Sequence, residues 1–129
     1  MRRLPAALLA ASLAFAAAAA GPETIEPQVL NERIAWSDRS LVVLDVRTPE
    51  EFSAGHVPGA INIPHTELAE RIAELQGARD SDIVVYCRTG RRTDEALGVL
   101  QKSGFTRLLH LQGDYTRWSE EHRPVVKDE

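Results

Sequence analysis

The chain has 129 residues, with 15 Lys and Arg against 19 Asp and Glu, a formal charge of −4, and 43% hydrophobic residues. That is long enough for one compact core and too short for two. An acidic balance without a basic stripe, aromatic-basic interleaving, low-complexity tract or internal repeat speaks against nucleic acid as a partner.

The N-terminus reads as a processing signal. Arg2 and Arg3 precede an uncharged run, 4–20, made mostly of Ala and Leu. Ala18 and Ala20 stand three and one positions before a cut ahead of Gly21, the small-residue pattern of a signal peptidase site. The run is about 17 residues with Pro5 inside it, short of the roughly 20 that a spanning helix needs. The expectation is a signal peptide over 1–20, an exported and periplasmic mature domain over 21–129, and no stable membrane span after processing. The mature part keeps all 19 acidic residues and 13 of the 15 basic ones, a formal charge of −6. It has one cysteine, Cys87, so no internal disulfide staples it, and a lone thiol in an oxidising compartment needs a reason.

In chain order, 27–36 reads as a helix and Leu41, Val42, Val43 and Leu44 as a strand. Thr48, Pro49 and Glu51 give a cap, a first-turn proline and a capping-box acid for a short helix ending near Gly55. A weaker strand is expected over 60–63. Leu68, Ile72 and Leu75 fall at i, i+4 and i+7, which predicts an amphipathic helix over 66–76 with Gly77 past its end. Ile83 to Tyr86 reads as a second strand, 92–103 as a helix carrying Ala96, Leu97 and Leu100 inward, and 108–111 as a weaker strand. A last helix begins near Asp114 and includes Trp118; Trp36 and Trp118 are expected in the core.

Uniformly apolar strands alternating with helices predict a parallel sheet covered on both faces, an α/β layer fold. Ligands in such folds sit beyond the carboxyl ends of strands. Cys87 lies directly after one strand and before a helix. Around it stands Tyr86-Cys87-Arg88-Thr89-Gly90-Arg91-Arg92-Thr93. Free N–H groups at the helix start, three arginines, and a glycine that lets successive N–H groups converge all favour an anion at the sulfur. A buried, inert cysteine is the plain alternative.

This loop resembles the active-site loop of rhodanese-like domains, Cys-Arg-x-Gly-x-Arg followed by Ser or Thr, in Cys87, Arg88, Gly90, Arg92 and Thr93. Asp45-Val46-Arg47, Glu51-Phe52 and the stretch from Gly55 to Pro64 resemble the family's first signature. Leu111, Gly113, Trp118, Pro124 and Val125 resemble its C-terminal one, so the likeness spans roughly 23–126. It implies a rhodanese-like three-layer fold, with a five-stranded, mostly parallel sheet and helices on both faces. It also implies a sulfurtransferase without cofactor: Cys87 takes sulfur from an anionic donor such as thiosulfate and passes it, as a persulfide, to a small acceptor such as cyanide or a thiol, or to a protein acceptor. The backbone from Arg88 through Thr89, Gly90, Arg91 and Arg92 to Thr93 would hold the sulfur anion. Arg88 and Arg91 would draw in the donor, Arg92 would brace the loop, and Asp45 and Arg47 would support the site as an ion pair.

The resemblance reads His56 as a structural loop residue. His65, His110 and His122 share no ligand spacing with one another or with Cys87, so no metal site is expected. Two positions depart from the family pattern: Asp114 stands where a second glycine is common, and His122 where a glycine often precedes Pro-Val. Asp114 is expected to cap the last helix or to place negative charge near the site mouth. A cysteine phosphatase needs Cys-x5-Arg, and Thr93 occupies that position. A sulfur-relay, anion-binding or partner-binding module with little turnover is one alternative; a redox thiol is another, which lacks a resolving cysteine and would need a mixed disulfide with another molecule.

Overall fold

In a computed structural model, which describes residues 2–3 and 22–128, the chain folds as a five-stranded sheet between two helical layers. Strand β1 is Thr24–Ile25, followed by helix α1, Pro27–Ala35, then β2, Leu41–Asp45, and α2, Pro49–Ala54. Next come β3, Ile61–Asn62, a 3-10 segment, Ile72–Ala78, β4, Asp82–Tyr86, and α3, Arg91–Lys102. Strand β5, Leu108–Leu111, and α4, Asp114–Glu120, complete the fold. The order across the sheet is β1-β5-β4-β2-β3, and every strand pair is parallel. The segment expected as a signal peptide lies outside the described residues, apart from Arg2 and Arg3. No helix among the described residues is long and apolar enough to cross a membrane.

The alternation of side chains along β2 and β4 builds two separate cores. Leu44, Ile83, Val85 and Cys87 face the layer of α3 and the 3-10 segment, with Leu75, Ala96 and Leu100. Val43, Val84 and Tyr86 face the other layer, with Leu30, Leu111 and Trp118. Strands covered on both faces have no polar face to show, which is why β2 and β4 are apolar except for Asp45 at the end of one and Asp82 at the start of the other. The local punctuation works as the residue types suggest. Thr48 accepts from Glu51 N–H while the Glu51 carboxylate reaches back to the Thr48 N–H, so α2 starts with a full capping box.

Three features differ from the expectations. The stretch 66–76 is not an α-helix; after a run of turns it becomes the 3-10 segment, with Glu74 N–H bonded to Arg71 carbonyl. Ile72, Leu75 and Ala78 follow at steps of three, which suits a helix of three residues per turn better than one of 3.6. Trp36 is 75% exposed rather than in the core. Helix α1 points Pro27 and Leu30 inward and ends at Ala35, so Trp36 stands on the outer side, where the chain turns through Ser37 at φ 54°. Strand β1 had no signal in the sequence, being two residues long and held by pairing to β5.

The two tryptophans should therefore answer differently to truncation. Trp118→Ala empties a fully buried site whose indole N–H bonds the Pro124 carbonyl at 2.8 Å, and is expected to cost about 3–5 kcal/mol by urea denaturation. Trp36→Ala is expected to stay within about 0.5 kcal/mol.

Candidate active site

Strand β4 runs out at Tyr86, and the next residue, Cys87, is the first of a tight loop that ends in the first turn of α3. Its side chain is 1% exposed, and the Gly90 N–H donates to Cys87 Sγ at 3.0 Å. Gly90 has φ 127°, a conformation that a side chain strongly disfavours, and that turn is what aims its N–H back at the sulfur. The N–H groups of Arg91, Arg92 and Thr93 follow in the first turn of α3, where helix geometry leaves them without intrahelical acceptors. The sulfur thus lies at the carboxyl end of a central strand and the amino end of a 12-residue helix.

The loop is held from outside by α4. Tyr115 N–H donates to the Cys87 carbonyl at 3.0 Å, and Thr116 donates to the Arg88 carbonyl through both its N–H and its hydroxyl, at 3.1 and 2.8 Å. Asp114 holds it from beneath. Its Oδ1 accepts from Cys87 N–H and from the Thr93 hydroxyl, each at 3.0 Å, and its Oδ2 lies 2.8 Å from His110 Nε2.

The expectations for Asp114 are corrected here. The cap of α4 is Gly113, and Asp114 is 2% exposed and turned inward, so it places no charge at the mouth. Its φ of 53° explains why glycine suits that position, and an aspartate can adopt it. His122 likewise has φ 53°. Burial works to raise the Asp114 carboxyl, but the hydrogen bonds from His110, Cys87 N–H and Thr93 outweigh it and hold the group below the usual carboxylate range. The same bond to Asp114 raises His110 against the opposing effect of burial.

The three arginines of the loop have separate fates. Arg92 makes a two-pronged ion pair with Glu51 of α2, at 2.7 and 3.0 Å, which ties the start of α3 to α2. Arg88 and Arg91 are exposed, and neither enters an ion pair among the described residues. Thr89 is also exposed, whereas Thr93 is fully buried, its hydroxyl given to Asp114. Beside the loop, Arg88 and Arg47 border a cavity of about 430 Å³ shared with Glu51, Tyr115 and Thr116. A larger cavity, about 540 Å³, lies over α1, β2 and the 3-10 segment and touches none of the residues expected to form the site.

Asp45 and Arg47 form a buried pair. The guanidinium meets both carboxylate oxygens at 2.7–3.1 Å, bonds the Gly55 carbonyl at 2.7 Å and lies over the Tyr115 ring at 4.1 Å. Burial opposes the charge on Arg47, and the Asp45 carboxylate more than offsets it. Asn62 closes the turn by donating to the carbonyls of Asp45 and Arg47. His56 is taken up by structure: its ring stacks on Phe52 with centroids 3.7 Å apart, and its backbone bridges to Val126. Two partners have roles that the sequence does not disclose. Glu51 has the pattern of a capping acid, yet it also anchors Arg92. His110 shares no metal-ligand spacing, and its partner is Asp114, four residues on.

The chain matches the family model described as "Rhodanese-like domain" over residues 26–121. A sulfurtransferase of Allochromatium vinosum is 34% identical over 105 residues, covering 81% of this chain and 95% of that protein. Thiosulfate sulfurtransferase PspE of Escherichia coli is 40% identical over 70 residues, covering 54% of this chain and 67% of that protein. Among solved structures, a rhodanese-related protein from Thermoplasma volcanium superposes with a TM-score of 0.70 at 35% identity, covering 81% and 97% of the two chains.

The Glu51–Arg92 pair makes a prediction about pH. The hydrogen bonds from Arg92 hold the Glu51 carboxyl at about 2, so the stability it contributes is full above the unfolded value near 4.5 and is lost as pH falls toward 2. Both side chains are partly exposed, so Glu51→Gln is expected to cost about 1 kcal/mol or less at pH 7. Urea denaturation should show that difference shrinking as the pH approaches 3; a difference constant with pH would remove the carboxylate from this role.

Proposed function

The chain belongs to the rhodanese-like domain family, a family of sulfurtransferases, and from that premise we propose that it carries sulfane sulfur as a persulfide on Cys87. The observation that carries the reading is the Cys87 sulfur itself, buried at the amino end of α3 with the Gly90 N–H aimed at it from 3.0 Å. An anion at that point replaces its water shell with fixed N–H groups that need no reorganisation when the sulfur arrives. Arg88 and Arg91, exposed and without an ion-pair partner among the described residues, supply positive charge at the approach for an anionic donor.

With thiosulfate as donor, the Cys87 thiolate attacks the outer sulfur. A new S–S bond forms, the bond between the two thiosulfate sulfurs breaks, and its electron pair leaves on sulfite. The persulfide anion stays in the loop. An acceptor nucleophile then attacks the terminal sulfur, and the S–S electron pair returns to Cys87. With cyanide the product is thiocyanate; with a thiol it is a new persulfide. No external oxidant, metal or cofactor is required. Arg92, bound to Glu51, holds the start of α3 in place during both steps, and the Asp45–Arg47 pair fixes the neighbouring end of β2.

Intact mass of the mature protein tests the cycle. Thiosulfate should add about 32 Da, one sulfur, to wild type and nothing to Cys87→Ser, and cyanide should remove it. No gain from thiosulfate or other sulfane donors would overturn the reading. Gain without release to cyanide would move the chain toward a relay that hands sulfur to a protein acceptor.

The uncharged run 4–20 after Arg2 and Arg3 supports a second proposal, export to the periplasm. Cell fractionation should find the protein outside the cytoplasm with Gly21 as its first residue; full-length protein in the cytoplasm would contradict it.

A further inference from the structure

The Asp114 carboxylate poses an electrostatic problem at the proposed site. It is the acceptor that holds the Cys87 N–H, and it is an anion packed beneath a loop whose cargo is another anion. His110 answers that charge. Its Nε2 is 2.8 Å from Asp114 Oδ2, and the ring is mostly buried. The pair also forms the floor under Gly90. A side chain at Gly90 would place its first carbon 3.1 Å from Asp114 Oδ2 and 3.5 Å from His110 Cε1. Gly90, whose own N–H bonds the sulfur, is thus the loop residue that lies against Asp114 and His110.

We propose that Asp114 and His110 are a charge-compensating pair that positions the sulfur-carrying loop, so that transfer at Cys87 requires His110 as an imidazolium. The proposal rests on the sulfur-carrier reading of Cys87. Neither residue touches the reacting atoms, so both are positioning residues. With His110 protonated, the floor beneath the loop is neutral and still supplies an oxygen to the Cys87 N–H and the Thr93 hydroxyl. With His110 neutral, Nε2–H can still bond Asp114, but one uncompensated negative charge remains below the sulfur anion. At the spacing of a few residues and in a buried setting, such a charge is enough to lower the rate about tenfold.

The groups that face His110 support a single dominant partner. Asp114 comes from α4, and Asp94 of α3 reaches Nδ1 at 3.8 Å with its own side chain mostly exposed. Strand β4 places Val85 beside His110, and β1 places Thr24 there; Glu23 accepts the His110 backbone N–H through its carbonyl. Asp114 raises the imidazole above its usual value, in the direction that keeps the pair charged at neutral pH.

The test combines an NMR titration of the His110 ring with the pH profile of sulfur loading from thiosulfate in wild type, His110→Gln and Asp114→Asn. Asparagine keeps an oxygen for the Cys87 N–H while removing the charge. The His110 midpoint should lie above that of a free imidazole in wild type and fall toward it in Asp114→Asn. Wild-type loading should decline at alkaline pH with the His110 midpoint. His110→Gln should load about tenfold more slowly at neutral pH and lose that alkaline limb. Asp114→Asn should lose the limb, whatever its rate at neutral pH, because no carboxylate is left for His110 to compensate. A merely structural role predicts proportional losses with the profile unmoved, and that result, or an unchanged His110 midpoint in Asp114→Asn, overturns the proposal. A wild type that takes no sulfur at any pH sinks the sulfur-carrier reading and this proposal with it, whereas loading with an unmoved limb sinks the proposal alone.

Discussion

The buried carboxylate of Asp114 accepts hydrogen bonds from the end of β4, from α3 and from β5, and the shape of the Cys87 loop depends on those bonds. An uncompensated carboxylate in such a place would be strongly destabilising. Here His110 Nε2, Cys87 N–H and the Thr93 hydroxyl supply three hydrogen-bond partners. The next two residues of α4 then bond the carbonyls of Cys87 and Arg88. The loop is thereby gripped on its N–H side and its carbonyl side at once. Within that grip, the positive-φ turn at Gly90 brings its N–H to the sulfur.

Charge around the loop is divided rather than pooled. Arg92 is bound to Glu51 and joins two helices, while Arg88 and Arg91 remain exposed, Arg88 beside the cavity that Arg47 also borders. In a chain of net negative charge, this is a local reversal of field at one strand end. It gives the proposed anionic donor an approach, and it leaves the stabilisation of sulfur in the loop to backbone N–H groups. Asp45 and Arg47 neutralise each other, and the Arg47 guanidinium also donates to the Gly55 carbonyl.

How far the sequence discloses this arrangement follows from whether a feature is local. Strands β2 and β4, the capping box of α2, and the run from Cys87 to Thr93 are contiguous, and their residue types state their geometry directly. Helix α3 differs from its expected bounds by one residue at each end. The segment from 66 to 78 is legible only once Ala78 is counted with Ile72 and Leu75, because the step of three rather than the i, i+4 pair decides its winding. Strand β1 and the burial of Trp118 against the exposure of Trp36 depend on pairing and on which side of a helix its last residue falls. The floor of the site is assembled across β5, α4, α3 and the loop, so no single stretch encodes it. Its one trace in the sequence is an acid in a glycine position with a histidine four residues earlier.

The central claim, that the loop is a seat for sulfur bonded to Cys87, is tested most directly by a crystal structure of the protein soaked with thiosulfate. The account predicts one additional atom at about 2 Å from Cys87 Sγ, surrounded by the N–H groups of the loop and the first turn of α3, with sulfite gone. A tetrahedral anion resting on Arg88 and Arg91, with Cys87 unmodified, would contradict it and make the loop an anion-binding site rather than a sulfur carrier.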